Sequence, residues 1–163
     1  LIQSGAKIDG IVNATGLVAF GQASDLSITA LNRLSAVNLT GPIALISGLL
    51  PALRISAQAG NEPFVVNISG VVAESPMAGL AAYSATKAGL WAFDQALSRE
   101  VRKDGIRVID ARPGHTETGL AGRAIAGVSP AFPVGMQPGW VADRIVSAIL
   151  NGESDLPAKA FAS

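Results

Sequence analysis

Three short apolar runs, each closed by a polar or glycine-bearing turn, are separated by two long segments whose apolar residues recur at threes and fours. Strands that alternate with long helices predict parallel βαβ units, because a right-handed crossover helix is what returns the chain to lay down the next parallel strand. Lys7–Asn13 is the first run, ending in Asn-Ala-Thr-Gly, and the residues before it, Leu1 to Lys7, read as the tail of a helix. A helix is predicted over Ser27–Leu53, with Ile28, Leu31, Leu34, Val37, Ile46 and Leu50 on its apolar face and Pro42 either bending it or lacking a backbone bond there. Phe64–Ser69 is β-branched and short, a second strand. Ala81–Lys103 has helical period with Gly105 placed to cap it, and Ile106–Ala111 forms a third strand stopped by Pro113-Gly114. His115 to Gly139 has no steady period and predicts a mobile loop; a short helix from Trp140 to Leu150 and a short strand within Asp155–Phe161 follow. The expected fold class is α/β, a parallel sheet with helices on both faces, and residues 1–163 are read as one partial domain. Ligands of such sheets lie beyond the carboxyl ends of the strands, which directs attention to Asn13–Gly16, Ser69–Gly70 and Arg112–Thr118.

Charge and cysteine content remove several kinds of chemistry. Twelve basic residues balance twelve acidic ones, so no whole-chain field gathers nucleic acid or an anionic membrane surface. The absence of cysteine removes disulfides and thiolate nucleophiles, and the lone His115 cannot anchor a multi-histidine metal site, so no metal is expected. The longest apolar stretches are interrupted short of the roughly 18 residues a membrane span needs. A soluble, cytoplasmic protein is expected, with neither nucleic acid nor membrane as partner.

The sole tyrosine, Tyr83, stands four residues before Lys87 on a predicted helix, which places both side chains on one face about a turn apart. A phenol is a poor proton donor or acceptor at neutral pH, and a nearby ammonium would draw its pKa toward the working range. The same spacing also arises on ordinary helix surfaces. Asn38, in Asn38-Leu39-Thr40-Gly41, is a poor helix former within the preceding helix; its amide or a freed carbonyl could hold a water, or it could simply mark a kink beside Pro42.

Together these residues resemble the short-chain dehydrogenase/reductase family. Ile11-Val12-Asn13-Ala14-Thr15-Gly16 is similar to that family's Asn-Asn-Ala-Gly strand end, Val37–Gly41 to its helix asparagine, and Val66-Asn67-Ile68-Ser69 to its serine strand. Tyr83–Lys87 resembles the Tyr-x-x-x-Lys signature and Pro113–Thr118 the Pro-Gly-x-x-x-Thr nicotinamide loop. The resemblance implies a Rossmann sheet, NAD or NADP, and hydride transfer with a small carbonyl or alcohol substrate in a homodimer or homotetramer. It implies Tyr83 as acid/base, Lys87 as its modulator and a ribose contact, and Asn38 as holder of a proton-relay water. Ser69 stands for the catalytic serine, Asn13 and Gly16 border the cofactor, and Pro113, Gly114, Thr116 and Thr118 flank the nicotinamide.

Two departures accompany the resemblance. No Gly-x-x-x-Gly-x-Gly turn precedes the first strand, so the residues read as the C-terminal portion of such an enzyme, and by themselves they are expected neither to bind NAD(P)H tightly nor to reduce a carbonyl. The family's serine usually falls thirteen residues before its tyrosine, a position held here by Gly70, with Ser69 one place early. Ser69 could swing into the site on the freedom of Gly70, or face away as strand alternation requires. No family role attaches to His115, which is expected as an exposed loop residue. Phe132 and Met136 are the large apolar candidates to cover a substrate. The competing reading is a non-catalytic relative, a binding or assembly protein that keeps the Tyr83/Lys87 helix for packing; an isolated oligomerisation module is the third.

Overall fold

A computed structural model describes residues 7–162; of the helix tail expected over Leu1–Lys7, residues 1–6 lie outside the described residues and Lys7 is not helical. The strands are β1 (Gly10–Asn13), β2 (Phe64–Ile68), β3 (Arg107–Ala111) and β4 (Asp155–Leu156), all parallel in the order β1-β2-β3-β4. Four helical segments connect or follow them: α1 (Ile28–Ser35), α2 (Gly41–Gln58), α3 (Ala81–Val101) and α4 (Pro138–Leu150). The sheet is thus the predicted parallel one, and each strand begins or ends within a few residues of its predicted bounds. β1 is shorter than Lys7–Asn13, although Phe64 N still donates to the Asp9 carbonyl one residue before it.

Alternation along the strands sorts the side chains into two layers. Ile11, Val65 and Val108 pack with Ile46 and Leu53 of α2 and Leu97 and Val101 of α3. Val66 and Ile109, one residue on, face the other way against Val141, Ile145 and Ala148 of α4, with Leu156 and Phe161. Helices therefore cover both faces, as expected. Val12 points to the α4 side from the edge strand β1 and is 56% exposed, because no described helix lies over that end of the sheet.

The first long helix is not a uniform α-helix. Ser27 caps it, its Oγ accepting from Ala30 N at 3.1 Å, and between α1 and α2 the chain makes a π-helical turn over Ala36–Thr40. Pro42 does not break the helix; it enters the first turn of α2, where a missing N–H is tolerated. By length and composition the helix Ile28–Gln58 could cross a membrane, its most apolar 18-residue window having a mean hydropathy of 1.6; 22% of that window is buried in the protein, and Ile46 and Leu53 are fully so.

The segment His115–Gly139, expected as a mobile loop, is anchored at both ends. Thr116 bridges Met136, and Met136 N donates to the His115 carbonyl at 2.8 Å. Further along, Phe20 N donates to the Ala126 carbonyl and Ile125 N to the Val18 carbonyl, each at 2.9 Å. Gly127 makes that docking possible: at φ +68° it passes so near the Phe20 carbonyl that a Cβ would sit 1.9 Å from the oxygen.

Candidate active site

The carboxyl ends of β1, β2 and β3 open onto a cavity of about 360 Å³, within the usual range for small-molecule sites. Gly16, Ser69, Tyr83, Lys87, Pro113, Gly114, Thr116 and Thr118 all border it. Eight of the sequence candidates, drawn from four separate segments, are thereby brought together. Asn13 and Asn38 are not among its lining residues.

Lys87 is buried, and its Nζ donates to the Ile68 carbonyl at 2.7 Å. Burial lowers its pKa to about 8, with the Asp110 carboxylate acting in the opposite direction. The Tyr83 ring is half-buried with its centroid 6.0 Å from Lys87 Nζ. Burial pushes the phenol up to about 12, the reverse of the lowering expected from the sequence, because desolvation of a phenolate outweighs a cation at that distance. In this arrangement Tyr83 is held in its proton-donating form.

Asn38 is fully buried in the π-helical turn. Its Oδ1 accepts from Leu17 N at 2.8 Å, and its Nδ2 donates to the Leu17 carbonyl at 2.9 Å and to Thr86 Oγ1 at 3.1 Å. The amide is therefore committed to fixing the segment after β1 against α3 and is not free to hold a water. Of the two options the sequence left open, the structure thereby removes the side-chain amide; the α-helical N–H that would pair with the Asn38 carbonyl belongs to residue 42, a proline. Thr86, missed in the sequence, completes this junction.

Asn13 does not border the cavity; its side chain turns under it. Its Oδ1 accepts from Thr15 N and Thr15 Oγ1 at 3.2 and 2.6 Å, while its Nδ2 donates to Asn67 Oδ1 at 2.8 Å. Thr15, which does line the cavity, is the residue through which Asn13 acts.

Ser69 also requires correction as a hydroxyl donor. It borders the cavity, but it is fully buried and its Oγ donates to Asp110 Oδ1 at 2.5 Å. Strand alternation puts Ser69 on the same side as Asn67, toward α3, which is the second of the two arrangements foreseen. Gly70 follows at φ +77° and ψ 162°, a conformation almost confined to glycine, so a serine could not simply take its place.

His115 is not an exposed loop residue. Its ring stacks on Phe132 with centroids 4.9 Å apart, its Nε2 lies 3.4 Å from Glu117 Oε1, and both rings line the cavity. Phe20 closes the same wall 6.1 Å from Phe132. Met136, by contrast, packs beneath Gly114 against the α4 layer. The contact of His115 with Phe132 spans seventeen residues of loop, which left no periodic signal to find it by.

Beneath the floor lies a charged cluster that the sequence reading did not identify. Arg112 is buried, donating to Asp110, to Glu74 Oε2 at 2.6 Å and to Asp155 Oδ1 at 2.7 Å. Burial opposes its charge, but the hydrogen bonds from Glu74, Asp155 and Asp110 overcome that, and its pKa is raised. The signal was present: a polar residue stands two places after a core residue at the end of each strand, as Ile11/Asn13, Val65/Asn67 and Val108/Asp110.

A parallel α/β sheet whose carboxyl edge gathers a buried lysine, a tyrosine and a Pro-Gly loop around one cavity has the architecture of a Rossmann-type protein. The description of the family whose sequence pattern matches residues 1–128 is "short chain dehydrogenase". The chain belongs to the short-chain dehydrogenase/reductase family. It is 32% identical over 156 residues to a dehydrogenase/reductase SDR family protein 7-like of Anopheles gambiae, covering 91% of this chain and 48% of that one. A short-chain dehydrogenase from Sphingobium yanoikuyae in complex with NADPH superposes with TM-score 0.78 at 27% identity, covering 93% of this chain and 57% of the other. The 3-ketoacyl-(acyl-carrier-protein) reductase from Brucella melitensis, complexed with NADH, gives TM-score 0.80 at 22% identity over 93% of this chain and 65% of that one, and supports the fold. The chain spans about half the length of the curated relatives it matches, 48% and 47% for two of them.

Proposed function

We propose that the protein of which these residues form the described part is an NAD- or NADP-dependent oxidoreductase acting on a carbonyl or alcohol. The observation that carries this reading is the convergence of Tyr83, Lys87, Gly16 and the Pro113-Gly114 loop on one cavity. A nicotinamide nucleotide fits the residues present: Gly16, Lys87, Thr116, Thr118 and the Pro113-Gly114 loop border one cavity of about 360 Å³ at the carboxyl edge of the sheet. Gly16, Lys87, Pro113, Gly114, Thr116 and Thr118 are the residues that would hold the nicotinamide ribose and ring. When bound, the nucleotide supplies or accepts the hydride.

Everything else is work for this chain. Tyr83 Oη carries the proton that a carbonyl oxygen requires as it becomes an alcohol, and takes it back in the reverse direction. Lys87 places positive charge 6.0 Å from the ring centroid and stabilises the phenolate once the proton has left. Val18, Phe20, Val71, Val72, Leu120 and Phe132 give the cavity an apolar wall, which suits a substrate whose carbonyl is attached to a hydrocarbon body.

The second reading, a non-catalytic binding or assembly protein, is favoured by one observation: the Ser69 hydroxyl is committed to Asp110. Oxidation of NADH and NADPH by the full-length protein against a panel of apolar ketones separates the two. Turnover that falls at least a hundredfold in Tyr83→Phe supports the enzyme with Tyr83 as its acid; no turnover above background with any of the ketones leaves the assembly reading. Homodimer or homotetramer formation and a cytoplasmic setting complete the proposal; the exposed Ile28, Leu45 and Ile55 on the first long helix support the former, and the latter rests on the sequence.

A further inference from the structure

Asn13, Asn67 and Asp110 stand opposite one another in register across β1, β2 and β3. All three face α3, where Asp94 lies seven residues after Lys87, two turns along the same face. Asn13 Nδ2 donates to Asn67 Oδ1 at 2.8 Å and Asn67 Nδ2 to Asp94 Oδ1 at 2.6 Å. The other Asp94 oxygen, Oδ2, is buried and has no hydrogen-bond partner among the described residues.

The carboxyl that faces Asp94 is Asp110, whose two oxygens accept from Ser69 Oγ and Arg112 Nη1. Two buried carboxylates in contact, one with an oxygen that nothing donates to, would be strongly disfavoured. An Asp94 carboxylic acid removes both faults, since its O–H has a carboxylate to donate to. The proton belongs on Asp94 rather than Asp110 because Asp110 has a hydroxyl and a guanidinium stabilising its charge, whereas Asp94 has one amide.

We infer that Asp94 and Asp110 hold one proton between them, and that this acid–carboxylate pair closes a hydrogen-bonded rung, Asn13–Asn67–Asp94–Asp110, that positions the floor of the site. One end of the rung holds Thr15 through Asn13 Oδ1; the other presents the Asp110 charge to Lys87. Asp94 is a positioning residue and touches no reactant. The charged groups around the pair are Lys87 on α3, Arg112 just after β3, Glu74 in the turn after β2 and Asp155 on β4, the last two bound to Arg112. Burial, with the neighbouring Asp110 charge adding to it and Asn67 opposing, raises Asp94 to about 8. Above that pH the rung loses its proton and the two carboxylates repel.

The test is a carboxyl ¹³C titration of aspartate-labelled full-length protein from pH 5 to pH 10. One resonance is expected to remain protonated at neutral pH, to titrate near pH 8 and to be missing in Asp94→Asn, whose amide can still donate to Asp110 and accept from Asn67. In Asp110→Asn the same resonance is expected to titrate at least one pH unit lower. A wild type whose aspartates have all ionised by pH 6, or an Asp110→Asn variant that leaves the high resonance unmoved, overturns the inference. The positioning role, which rests on the proposed cofactor, predicts that from pH 7 to pH 9 the wild-type Kd for NAD(P)H weakens at least threefold more than that of Asp94→Asn; equal weakening overturns that role. The titration needs no turnover, so an inactive protein that shows the resonance refutes the proposed function and leaves the shared proton standing.

Discussion

Replacing Asp94 by Asn should flatten the dependence of folding stability on pH. The Asp94 carboxyl has an ordinary value of 3.8 and a native value of about 8, so between those limits the native state holds one more proton at this site than the unfolded chain. A raised native value means that the stabilisation is fully present below pH 3.8 and is lost as pH rises through 8. One proton corresponds to about 1.36 kcal/mol per pH unit. Between pH 5 and pH 7, allowing for incomplete titration at each end, this group alone should make the wild type less stable by roughly 2–3 kcal/mol. Asn does not titrate, so the loss should be largely absent in Asp94→Asn, and titrating groups away from the Asp94–Asp110 pair cancel when the two proteins are compared. Urea unfolding at both pH values measures the four free energies needed. Equal pH dependence in the two proteins, within about 0.5 kcal/mol, would refute the buried acid, whatever their absolute stabilities.

Other consequences concern the serine, the lysine, the subunit state and the isolated chain. Ser69→Ala should change turnover by less than threefold because its hydroxyl is directed at Asp110; a hundredfold loss in steady-state kinetics would restore Ser69 as a substrate donor. Gly70→Ser should destabilise the protein by about 1–3 kcal/mol in chemical denaturation, the cost of a side chain at φ +77°, rather than raise activity. Lys87→Ala should weaken NAD(P)H binding and lower turnover together, and an unchanged Kd by calorimetry would exclude it as a cofactor contact. Light scattering of the folded protein should give at least a dimer, and a sharp monomer peak at high concentration counts against it. Calorimetry on residues 1–163 alone should show no tight NAD(P)H binding, and low-micromolar binding would show that they hold a complete cofactor site.

Much of this architecture is legible in the sequence because burial on both faces leaves an unmistakable record. Val65 and Val66 go to opposite layers, as do Val108 and Ile109, so each strand reads as a continuous apolar run, and the helical period of the intervening segments fixes the parallel connection. The four-residue spacing that brings Tyr83 and Lys87 to one face is likewise local. What escaped notice depends on contacts between distant segments. The direction of the Asn13 and Asn38 amides is decided by Asn67 and Leu17, and the His115 environment by Phe132. The Tyr83 shift depends on how deeply the ring is buried, which no spacing encodes. The buried charges went unread because Asp94 sits at an ordinary helix position and Asp110 in an ordinary strand, and only their meeting makes them unusual.

The central claim is hydride transfer with Tyr83 as the proton donor, and isotope transfer tests it most directly. Full-length protein is incubated with an apolar ketone and NADH or NADPH deuterated at C4 of the dihydronicotinamide, and the alcohol product is analysed by mass spectrometry. Deuterium should appear on the carbinol carbon with wild-type protein and fall by roughly 10²–10⁴-fold in rate with Tyr83→Phe, the range general acid catalysis ordinarily supplies. Deuterium transfer that proceeds at the same rate without the Tyr83 hydroxyl would contradict the account.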